Sequence, residues 1–130
     1  MTVDHAIYRL LSGASAVTAI LTSPATQISA RPIETLPQIT YFRISSPGEE
    51  DIPNRWERWR FFVRGEDFST VANISDLIYN ILENGSGTVT DGADSMIIDQ
   101  TKCLDHGRSP EALGEWFEAF TDFRIIWRNE

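Results

Sequence analysis

Two stretches of the chain alternate large apolar and charged side chains residue by residue, and no other feature narrows the fold as much. In Trp56–Arg64, Trp59, Phe61 and Val63 fall on one side while Arg58, Arg60 and Arg64 fall on the other. In Trp116–Arg128, Phe123, Ile125 and Trp127 oppose Asp122, Arg124 and Arg128. A period of two belongs to a β-strand with one face in a core and the other facing water or a partner. Such strands build a sheet that is covered on one side only. Phe62 interrupts the polar side of the first stretch and is expected to touch a neighbouring element.

The remaining elements are placed around these strands. Residues 3–12 carry Ala6, Ile7, Leu10 and Leu11 at helical spacing, with Thr2 or Asp4 placed to cap. Residues 14–21 form a second short helix that Ser23-Pro24 ends. Pro32 and Pro37 rule out a central strand over 25–37, although Gln27–Ala30 could pair briefly at an edge. Gln38–Ser45, rich in β-branched and aromatic residues, is a strand. With 56–64 it makes an antiparallel hairpin whose long charged tip is SPGEEDIPNR. Val71, Ile74, Leu77, Ile78, Ile81 and Leu82 predict a helix over 68–83, capped by Asp67 or Ser69 and stopped at Asn84-Gly85. A Gly/Ser/Thr loop runs to Asp94, a third strand covers 95–104, and a turn covers Asp105–Glu111. The order α(α)ββαββ predicts an α+β domain: a four-stranded, mainly antiparallel sheet with helices packed on one face. Nothing divides the chain, so residues 1–130 are expected to form one domain.

Composition removes whole classes of function. With 42% hydrophobic and 23% charged residues the chain can bury a core and does not resemble a disordered one. No apolar run approaches the roughly 20 residues needed to span a bilayer, and MTVDHAIYRLL lacks the basic start of a signal peptide. The net charge of −8, from nineteen acids against ten arginines and one lysine, opposes free-standing nucleic-acid binding. The single cysteine, Cys103, suits a reducing compartment and a buried thiol. Cys103-x-x-His106 has no second half at zinc spacing, and no orienting group or oxyanion hole marks the two as a nucleophilic pair. Gly85-Ser86-Gly87 follows a helix and opens none, so it is no phosphate loop. Glu49, Glu50 and Asp51 lack the EF-hand pattern and suit a solvated tip. Neither a metal nor a cofactor is expected.

The four tryptophans divide. Trp59 and Trp127 fall on core faces. Trp56 and Trp116 lie beside loops, and Trp56 sits among charges in Arg55-Trp56-Glu57-Arg58, a mixture typical of protein interfaces. The candidate contact set is therefore Glu49, Glu50, Asp51, Arg55, Trp56, Arg58 and Trp116.

Several segments together carry a resemblance. They are Ala6-Ile-Tyr-Arg-Leu-Leu-Ser12, Ala16-Val-Thr-Ala-Ile-Leu21, the Ile28 segment, Leu36-Pro-Gln-Ile-Thr-Tyr41 and Thr121-Asp-Phe-Arg-Ile-Ile-Trp127. In order and length the chain resembles the tail completion or tail terminator proteins, the head–tail joining proteins of long-tailed phages and prophages. The resemblance covers nearly the whole chain and departs from it at the acidic tip Glu49–Asn54. It implies a structural virion protein without catalysis or cofactor, assembled in the bacterial cytoplasm. Copies would form a ring, commonly of six, that caps the tail tube, meets the major tail tube protein and the head connector, and lets DNA pass through an acidic lumen. Open sheet edges would be managed by pairing with a neighbouring subunit. The alternatives are another minor tail or neck component, a small-molecule-binding or enzymatic α+β domain with an apolar pocket between helix 68–83 and the sheet, or a dimeric adaptor.

Overall fold

The computed structural model describes residues 1–21, 27–29, 35–45, 55–83, 85–109, 114 and 116–129. In chain order the elements are α1 (Val3–Ser12), α2 (Ser15–Thr18), β1 (Ile28–Ser29), β2 (Gln38–Ser45), β3 (Arg55–Gly65), α3 (Phe68–Leu82), β4 (Gly87–Asp91), β5 (Asp94–Arg108) and β6 (Phe117–Asn129). All strands join one six-stranded sheet in the order β1-β2-β3-β6-β5-β4. β1 runs parallel to β2, and every other pair is antiparallel.

The expected four-stranded, mainly antiparallel sheet is thus corrected to a six-stranded, mixed and curled one. β1 is only two residues long and lies at the sheet edge within Gln27–Ala30, where the sequence allows brief edge pairing; Ile28 lies opposite Ile39. β4 occupies part of the expected Gly/Ser/Thr loop. Only Val89 of its five residues is buried, so no alternation announces it. Its signal lay in the turn: Asp91-Gly92 precedes Ala93-Asp94, Gly92 has φ +64°, and Asp91 pairs with Asp94. The two-residue connection is Gly92-Ala93, and a positive φ at its first residue is the hairpin geometry that glycine there favours. β5 runs on through the expected turn at Asp105 as far as Arg108. Register shifts at Ile98/Gln100 and Cys103/Asp105 reset its alternation twice, which hides one long strand behind an irregular pattern.

The core lies between one sheet face and the helices. Ile39, Tyr41, Trp59, Phe61, Val63, Met96, Ile98, Phe123, Ile125 and Trp127 meet Val3, Ala6, Ile7 and Leu11 of α1 and Val71, Ile74, Ile78 and Leu82 of α3. Asp67 caps α3, its carboxylate accepting from the Thr70 amide at 2.7 Å and the Thr70 hydroxyl at 2.9 Å. At α1 the N-cap is Thr2, without a side-chain cap bond.

Helix α1 packs against both outer strands, β1 and β4. Its start is tied to the β4–β5 hairpin by the terminal amine on Asp94 (2.8 Å) and by His5 Nε2 on Asp91 (2.7 Å). Six flat strands would span roughly 24 Å, about twice a helix diameter. The sheet must therefore curl around α1 into a half-barrel. Where β4 stops, the rim of β5 is occupied by other groups: the Thr101 amide donates to Gly85 O at 3.0 Å and the Cys103 amide to Glu83 Oε2 at 2.7 Å.

Candidate interaction surface

With the helices on the concave side, strand register dictates what the convex side displays. Trp56, Arg58, Arg60, Phe62 and Arg64 of β3 lie opposite Ile126, Arg124, Asp122, Phe120 and Glu118 of β6. Phe42 lies opposite Arg60 on β2, and Gln100, Lys102 and Asp105 lie opposite Ile126, Arg124 and Asp122 on β5. No described helix covers this face. Trp56 and Phe42 are 41% and 40% exposed on it.

Its centre is Asp122, which is 0% exposed although it points away from the core. Two arginines bury it. Arg60 donates from Nε to Oδ1 (2.7 Å) and from Nη2 to Oδ2 (2.9 Å). Arg58 donates from Nη2 (2.6 Å) and Nε (3.2 Å) to Oδ2. Burial alone would raise the Asp122 carboxyl, but these bonds and both positive charges outweigh it and hold the group below the usual carboxylate range. The bond to Asp122 raises Arg60 in turn.

Aromatic rings fill the spaces between the guanidinium groups. Arg60 lies 4.8 Å from the Phe120 ring centre and 5.9 Å from that of Phe62. Arg64 lies 5.7 Å from Phe62 and 5.3 Å from Trp116, and its Nε reaches Glu118 at 3.2 Å. Phe42 stacks on Phe62 at 5.8 Å. Phe62, out of place on a polar face by sequence, is thus the ring on which Phe42 and two arginines rest. Opposite Phe120 stands Gly107, where an added Cβ would approach the ring to 2.6 Å.

The residues anticipated from sequence are distributed unevenly. Trp56 and Arg58 lie on this face, and Trp116 lies half-buried beneath Arg64. Arg55 opens β3 opposite Trp127. Glu49, Glu50 and Asp51 fall outside the described residues. Sequence reasoning missed the buried anion Asp122 and the participation of Arg60, Arg64, Phe62 and Phe120. The signal available was the acid standing among basic partners on two alternating strands.

Elsewhere the chemistry is modest. Cys103 Sγ contacts Asp105 O at 3.7 Å, and burial followed by the Glu83 charge pushes its thiol up, away from a nucleophilic thiolate. His106 is exposed, and its backbone amide bonds the Asp105 carboxylate at 2.9 Å. Among the described residues no group of three or more His, Cys, Asp or Glu is placed to hold a metal ion. A small cavity lies among Leu10, Ile81, Leu82, Val89, Ile98 and Thr101. Its lining is mainly apolar, and the Thr101 hydroxyl already accepts from the Gly85 amide at 2.9 Å. No described helix is long and apolar enough to cross a membrane.

The chain is similar in structure to a chain from the virion of a native gene transfer agent (GTA) particle, with a TM-score of 0.69 and 12% sequence identity over 95% of this chain and 92% of that one. At that identity the likeness is one of fold. No family model matches the sequence, and no curated protein matches it.

Proposed function

We propose that this chain is a structural subunit of a phage-like virion, acting as a tail terminator or tail completion protein. Copies form a ring, commonly of six, on the tail tube and offer the surface that the head connector meets. The observation that carries this reading is the fold shared with a virion chain over nearly the full length of both. Two features of the chain support it. The convex sheet face combines exposed aromatic and aliphatic groups with arginines, the composition of protein contact surfaces. The net charge of −8 suits a lumen through which DNA slides without adhering. In this reading Trp56, Arg58 and Trp116, with Arg55 and the acidic run Glu49-Glu50-Asp51, contact neighbouring subunits, the major tail tube protein or the connector. Catalysis and cofactors play no part.

Gold labelling of a tagged chain in purified particles tests the position. Label at the junction of head and tail is expected; label elsewhere on the particle, or none, overturns the reading. Replacing Pro47–Asn54 with a short Gly/Ser linker is expected to leave the circular dichroism and melting of the purified chain intact while blocking productive tails. Tails of normal length and full infectivity would remove that segment from the account.

A further inference from the structure

Helix α3 and the sheet do not close completely on each other. Between them lies a cleft of about 210 Å³, lined by Ser75, Asp76 and Tyr79 of α3, His106 and Arg108 of β5 and Thr121 of β6. Every one of these side chains carries a hydrogen-bonding group. Ser75 falls one turn after Val71 on the buried stripe of α3, and Thr121 falls between Ala119 and Phe123 on the core face of β6. Both positions suit apolar residues, and both hydroxyls are buried, at 5% and 3% exposure. Among the described residues the one hydrogen bond of either hydroxyl is the mutual one, 3.5 Å long. A bond of that length is weak, and a hydroxyl taken from water without a good partner costs stability. Folding gains little from this pair, whereas a bound polar molecule would complete it. At the rim Arg108 Nη2 donates to Asp76 Oδ1, so the two charges cancel across the mouth of the cleft. The Tyr79 hydroxyl and the His106 ring make no hydrogen bond among the described residues.

We propose that this cleft binds a neutral, hydroxyl-rich small molecule, a single sugar unit. The cancelled charges at the rim favour neither a cation nor an anion. A hydroxyl-rich ligand needs partners that both donate and accept. Ser75, Thr121 and Tyr79 can do either, a neutral imidazole at His106 offers one of each, the remaining Arg108 N–H groups donate and Asp76 Oδ2 accepts. The exposed Tyr79 ring supplies an apolar surface for the C–H side of a sugar ring. The volume is that of about seven waters at roughly 30 Å³ each, room for one such ring with its hydroxyls. The site does not depend on how copies of the chain meet, so it stands apart from the ring reading.

Heteronuclear NMR of the full chain, titrated with a panel of methyl hexosides and with a trisaccharide, tests this. At least one glycoside should shift the amides around residues 75–79, 106–108 and 121, saturating with roughly millimolar affinity. Binding of the methyl glycoside alone assigns the cleft to a free sugar, and equal binding of the trisaccharide assigns it to the end of a glycan; both support the proposal. Thr121→Val, matched in shape, should weaken binding about ten-fold, the scale of one hydrogen bond, while leaving the melting point unchanged or higher. Tyr79→Ala, at an exposed position, should weaken it at least as much without unfolding the chain. No shift with any glycoside well above millimolar concentration overturns the proposal. So does binding that neither substitution changes, and so does a shift of the same amides by inorganic phosphate, acetate or guanidinium in place of the sugars.

Discussion

Asp122→Ala probes how the convex face is held. The wild-type carboxylate is 0% exposed and accepts four N–H groups at 2.6–3.2 Å. Removing one partner of a buried ion pair costs about 3–5 kcal/mol when the other charge stays buried. Here the arginine side chains are 34% and 31% exposed and can turn partly towards water. Asp105, opposite Asp122 in register, offers them a substitute anion. The expected loss is therefore about 2–3 kcal/mol, or roughly 8 °C in melting temperature for a domain of this size. Urea unfolding followed by tryptophan fluorescence measures it, with an unchanged denaturant slope as the sign that only stability has moved. Asp122→Asn, which keeps an acceptor but not the charge, should fall between the two. A loss below about 0.5 kcal/mol would mean that the cluster acts as an ordinary surface ion pair, and the account of this face as braced from within would fail.

Acid should reveal the same group. Because the folded-state carboxyl of Asp122 is held low, its contribution is complete above the unfolded-state value of about 4 and is lost as pH falls through the lower folded-state value. The stability gap between wild type and Asp122→Ala should stay level from pH 7 to about 5 and narrow below about 4; a gap that widens in acid contradicts the assignment. Trp127→Ala should cost about 3–5 kcal/mol because that ring lies in the concave core, whereas Trp56→Ala should cost less than about 1 kcal/mol. Equal losses in chemical denaturation would mean that the two faces have been confused.

The legible parts of the fold were those with unbroken periodicity. α1, α3, β3 and β6 follow from apolar spacing, because each buries a continuous stripe or face, and β2 from its β-branched and aromatic composition. β5 was half visible, since its first bulge moves Thr101 and Cys103 out of the phase that Met96 and Ile98 begin and its second moves His106 back into it. β4 buries a single valine, and β1 is too short to show a period. For the convex face, alternation showed which side the arginines take. That Asp122 is sealed beneath two of them depends on β3 and β6 being neighbours, a long-range pairing that no local pattern encodes.

The rim of the sheet bears on how copies of this chain can meet. Among the described residues, one end is a two-residue strand, and the other is a five-residue strand beyond which a backbone carbonyl and the Glu83 side chain accept from the Thr101 and Cys103 amides. A blunt rim gives an incoming strand little to pair with. Subunits built this way are steered from runaway backbone zippering towards side-chain contacts that salt can loosen. In the ring proposed for this chain, such joints would let misplaced copies be corrected before assembly is locked.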